Sequence, residues 1–117
     1  MLFEKLHSAR EAFEKAQTLS SGLAISMQKI SANAAGVDAE IARFEKYCTS
    51  RGIPPGEDIA IISLRARRTN MEQSLETLRS RNAQIDATLA TKREEILQLE
   101  SFLSRGLADE TENSPPA

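Results

Sequence analysis

The chain has 117 residues, a formal net charge of −2, 4% aromatic residues and no Trp. That length allows one domain, and a balance this close to neutral argues against a nucleic-acid footprint, which needs a basic face. The weight of Ala, Leu, Ser, Glu and Arg fits a long helix or coiled coil better than a compact globule.

The N-terminus, Met1-Leu2-Phe3-Glu4-Lys5, is not a basic stretch followed by an apolar run, so no signal peptide is expected. No later segment approaches the roughly 18 consecutive apolar residues of a membrane span. From Leu2 an apolar stripe runs through Leu6, Ala9, Phe13, Ala16, Ser20, Leu23, Met27, Ile30, Ala34, Val37, Ile41, Phe44 and Cys48. Its alternating steps of three and four keep one face of a slightly under-wound helix apolar. A helix is predicted from about Leu2 to Arg51. Gly22 and Gly36 lie inside it on outward positions, each costing about 1 kcal/mol relative to Ala. Ser20-Ser21-Gly22 is where a bend or fraying is expected.

Cys48 falls on the stripe and reads as a small buried hydrophobe. As the single cysteine it excludes an internal disulfide and suits a reducing compartment, so a cytoplasmic location is expected. A reactive thiol would want a neighbour that lowers its pKa, and the lone His7 lies far from it in any hairpin.

The stripe breaks at Gly52-Ile53-Pro54-Pro55-Gly56. Gly52 suits the left-handed residue past a helix end, and Pro54 cannot continue the helix. A second helix is predicted from near Pro55, or Glu57, to Arg105, with Gly106 as its stop. Glu57 and Asp58 then sit where the helix dipole favours negative charge. Its stripe is Ile61, Leu64, Arg68, Met71, Leu75, Leu78, Asn82, Ile85, Leu89, Lys92, Ile96, Leu99 and Leu103. Arg65, Arg67 and Arg68 form the only tight basic cluster, read as a solvated face plus one seam arginine. The acidic remainder, 107–117, closes with Ser114-Pro115-Pro116 and is expected to be disordered.

These elements predict an all-α fold: a long two-helix antiparallel coiled-coil hairpin over residues 1–106. Two registers are open to it, with paired residue numbers summing to about 105 or about 112, because a positions of one helix face d positions of the other. The first sets Arg10 beside Arg93. The second pairs Phe13 with Leu99, Leu23 with Leu89, Val37 with Leu75 and Ile41 with Met71, and brings Arg10 near Glu100 and Glu45 near Arg65. It is preferred, although it leaves Asp38 near Glu72.

Three groups of residues carry functional expectations. Phe3, Ala12, Leu19, Leu97 and Phe102 lie beside the seam in the half away from the loop and are read as a partner-binding surface, since apolar side chains gathered outside a core mark contact sites. Ile53, Glu57, Asp58 and Ile59 form an exposed, proline-stiffened tip. Arg68, Asn82 and Lys92 interrupt the seam and are read as specificity devices, a buried polar residue fixing register or partner and a long cation snorkelling to water.

The chain has no glycine-rich phosphate loop, no metal-ligand spacing, and only one His and one Cys. It is therefore expected not to be an enzyme, with no cofactor and no metal. The expected function is a coiled-coil interaction subunit (an adaptor, small chaperone or assembly factor) that packs against a helical protein partner or itself, since two helices alone bury little. The alternative is a stalk that presents its tip to a larger machine. The hairpin outline is similar to that of the type III export stalk proteins of flagella and injectisomes, which are single antiparallel hairpins inserted into an ATPase ring. It also resembles, more distantly, the acidic-tipped coiled coils that enter the secondary channel of bacterial RNA polymerase.

Overall fold

The structure, a computed structural model, describes residues 1–112, with side-chain burial over residues 1–106. Helix α1 spans Leu2–Ser50, a single 3₁₀ turn covers Pro55–Glu57, and helix α2 spans Ile59–Glu112. There is no strand among the described residues, and the fold is the all-α helical hairpin that the stripe predicts.

Local chemistry accommodates the threonines within both helices. The β-branched threonines, poor helix formers, fold their hydroxyls back onto the preceding turn. Thr18, Thr49, Thr69, Thr77, Thr88 and Thr91 each donate to the carbonyl four residues earlier, at 2.8–3.1 Å, which satisfies the side chain without leaving the helix. Helix α1 is continuous through Ser20-Ser21-Gly22.

The chain ends α1 with a Schellman motif. Ile53 N–H donates to the Cys48 carbonyl at 2.9 Å and Gly52 N–H to the Thr49 carbonyl at 3.2 Å, so carbonyls the helix leaves open find donors. Gly52 takes φ +69° to do this, the one positive φ among the described residues, and a side chain there would be strained. Pro54 then leads into the 3₁₀ turn. Helix α2 begins later than expected. Asp58, not a residue near Pro55, is its N-cap: the carboxylate accepts from Ile61 N–H at 3.1 Å, the usual capping geometry. Glu57 belongs to the 3₁₀ turn. At the other end, α2 passes through Gly106, the expected stop, to Glu112. Gly106 keeps a right-handed conformation, and no proline follows until Pro115, so nothing forces a stop. Residues 113–117 of the expected tail lie outside the described residues.

The chain divides into two compact units, Gly22–Asn82 and the pair Met1–Ser21 with Ala83–Ala117. In the loop unit the buried side chains are Ala34, Val37, Cys48, Ile61 and Leu75; in the terminal unit they are Leu6, Ala9 and Ala16. Nearly every other stripe position is half-buried, Leu2 and Phe44 excepted. The preferred register is the one observed. Arg10 meets Glu100 at 2.9 Å within the terminal unit, and Arg65 meets Glu45 at 2.8 Å within the loop unit. These are the two ion pairs that distinguish it. The expected Asp38–Glu72 repulsion does not arise, because Arg68 lies between them and bonds Asp38 at 2.9 Å and Glu72 at 3.0 Å.

Candidate interaction surfaces

Each expected group takes its own place. Leu97 and Phe102, 60% and 57% exposed, share a shallow groove on α2 with Glu94, Gln98, Ser101 and Arg105. Five residues apart, they sit about 140° from each other round the helix and form the two edges of that groove, with the polar side chains between them. Leu19 is equally exposed but lines a different groove on α1, with Glu11, Glu14, Lys15 and Thr18. Phe3 is exposed near the N-terminus, and Ala12 is half-buried at the seam's edge.

At the tip, Ile59 is 82% exposed and Ile53 and Ile62 are partly so, while Glu57 is exposed. Asp58 is half-buried and is committed to capping α2, so its carboxylate is structural. Of the seam residues, Arg68 is half-buried and tied to two carboxylates. Lys92 turns its ammonium to Glu95 at 3.0 Å. Asn82 is half-buried rather than buried; a two-helix seam leaves one flank open to water, so the amide is not forced to find a protein partner.

Electrostatics are local. Glu72 is held below the usual carboxylate range by hydrogen bonds from Arg68, with the Arg68 and Arg79 charges adding to the effect. Burial pushes the Cys48 thiol up, and the Asp58 carboxylate pushes it further. The thiolate is therefore disfavoured, the reverse of what a nucleophilic cysteine needs, and the expected role of Cys48 as a small buried hydrophobe agrees with its complete burial. A thiol whose folded pKa lies above its unfolded value of about 8.5 contributes stability that is complete below that pH and declines above it. Between about pH 7 and about pH 9.5 the urea midpoint should fall more for the natural chain than for Cys48→Ala. Equal declines would show that the thiol contributes nothing.

Sequence reasoning missed one surface. Phe44, expected in the seam, is 40% exposed, and Tyr47 is 51% exposed. The two aromatics line a groove on α1 with Glu40 and Arg43, and the Arg51 guanidinium stacks over the Tyr47 ring at 4.8 Å. The signal was present in sequence as two aromatics three apart between three cations, but the heptad assigned Phe44 to the core.

No helix is long and apolar enough to cross a membrane, and no group of three or more His, Cys, Asp or Glu gathers as a metal site among the described residues. In comparisons with known proteins, no family model, no curated protein and no solved structure matches this chain.

Proposed function

We propose that this chain is a non-enzymatic coiled-coil interaction subunit, an adaptor, small chaperone or assembly factor of the cytoplasm. It would work by packing a helical partner, or a second copy of itself, into the α2 groove between Leu97 and Phe102. The observation that carries this reading is that pair: two large apolar side chains edging one shallow groove of α2, both more than half exposed, with polar residues between them. The half-buried polar residues Arg68, Asn82 and Lys92 would restrict which helices fit. No cofactor and no nucleic acid enters this reading.

A second reading rests on the tip. The Schellman motif and the Asp58 cap hold the loop stiff while Ile59 projects, the geometry a stalk would use to press its end against a larger machine, as in the export stalks it resembles in outline. A photo-crosslinking residue placed at position 102, and separately at position 59, tests both. Adducts from 102 alone support packing along α2, whereas adducts from 59 alone support the stalk.

A further inference from the structure

We propose that the groove on α1 next to the loop, formed by Glu40, Arg43, Phe44 and Tyr47, is a separate docking site for an acidic amphipathic helix of a protein partner. The argument starts from charge. Among the described residues the ion pairs employ Arg10, Arg65, Arg68, Arg79 and Lys92. Arg43, Arg51 and Arg67 form none of these pairs. Arg43 lines the groove, Arg51 lies just past the end of α1 and over the Tyr47 ring, and the heptad places Arg67 at the flanking position of α2 on the same side as Tyr47. The nearby carboxylates Glu45 and Asp58 are already engaged, by Arg65 and by the α2 cap. That leaves Glu40 and Glu57 against three uncommitted arginines, a local positive surface on a chain whose net charge is −2.

The apolar part of the site fixes the kind of occupant. Tyr47 and Phe44 are exposed on one helical face, and Arg51 already lies over the Tyr47 ring. Aromatic and arginine side chains together are the residues that dominate protein interfaces. An incoming helix that sets an apolar residue between the rings and Asp or Glu on its flanks would satisfy both features. A nucleic-acid backbone suits the groove less well, because Glu40 lines it and the cations form no continuous track.

The experiment uses the full chain and a designed helical peptide with Leu and Phe at i and i+4, Asp and Glu elsewhere, and no Tyr or Trp. Tyr47 is the only tyrosine and there is no Trp, so intrinsic tyrosine emission reports on this groove directly. The peptide should change Tyr47 emission and bind by anisotropy, more weakly as salt rises through about 0.15 M. Arg43→Glu with Arg51→Glu should weaken binding at least about tenfold, as should Tyr47→Ala, with helical circular dichroism unchanged. Phe102→Ala should leave it intact. Absence of binding, binding indifferent to these changes, or tighter binding of a single-stranded oligonucleotide than of the peptide would overturn the proposal.

Discussion

Ile61→Ala should cost about 2–5 kcal/mol, the usual loss when a buried branched side chain is cut to Ala and its cavity does not close. Ile61 is completely buried, and its N–H is the group Asp58 caps, so the site anchors the first turn of α2 as well as the core. With so few buried side chains in the loop unit, that loss is a large share of a typical domain's stability of about 5–15 kcal/mol. Its neighbour Ile62, 50% exposed, is the control, and Ile62→Ala should shift stability by no more than about 0.5 kcal/mol. Urea unfolding followed by circular dichroism separates the two. Equal losses would mean that the stripe does not define the inside.

The opposite sign is expected at two glycines. Gly22 and Gly36 lie within α1, and a Cβ added at either meets nothing within 4 Å. Each Ala there should gain about 1 kcal/mol, and the two, fourteen residues apart in sequence, should add to about 2 kcal/mol. Gly52→Ala should instead destabilise, although its Cβ also meets open space, because φ +69° is strained for any L side chain. If Gly22→Ala and Gly36→Ala lower the thermal midpoint, α1 requires their flexibility and the continuous helix is the wrong picture.

The fold was legible because a heptad repeat is redundant. Each of its many positions repeats the same instruction, so polar intrusions such as Arg68 and Lys92 do not obscure it. The register was legible for a different reason: Arg10–Glu100 and Glu45–Arg65 can form in only one of the two alignments. Ends were harder. Asp58 followed by an apolar run is a capping signal, but the preference of proline for a first helical turn pointed further upstream. Gly106 looked like a stop, yet a glycine ends a helix only when the chain needs a left-handed turn, and here it does not. Phe44 was misjudged because the heptad tells which way a side chain points, not whether anything covers it. Arg68 directs its guanidinium to Asp38 and Glu72, and Phe44 stays partly exposed. Tyr47, outside the stripe, carried no periodic signal at all.

The central claim, that the α2 groove between Leu97 and Phe102 is the working surface, is tested most directly by measuring association of the Phe102→Ala chain. Removing an interface aromatic costs about 2 kcal/mol, or about thirtyfold in affinity, while Ala, a good helix former, preserves α2. The comparison is a tip variant that changes Glu57 and Ile59 but spares the capping Asp58. Sedimentation of the isolated chain, and titration against a captured partner, should show Phe102→Ala weakened about thirtyfold at full helicity and the tip variant unchanged. Association untouched by Phe102→Ala but lost in the tip variant would contradict the account and place the function at the loop.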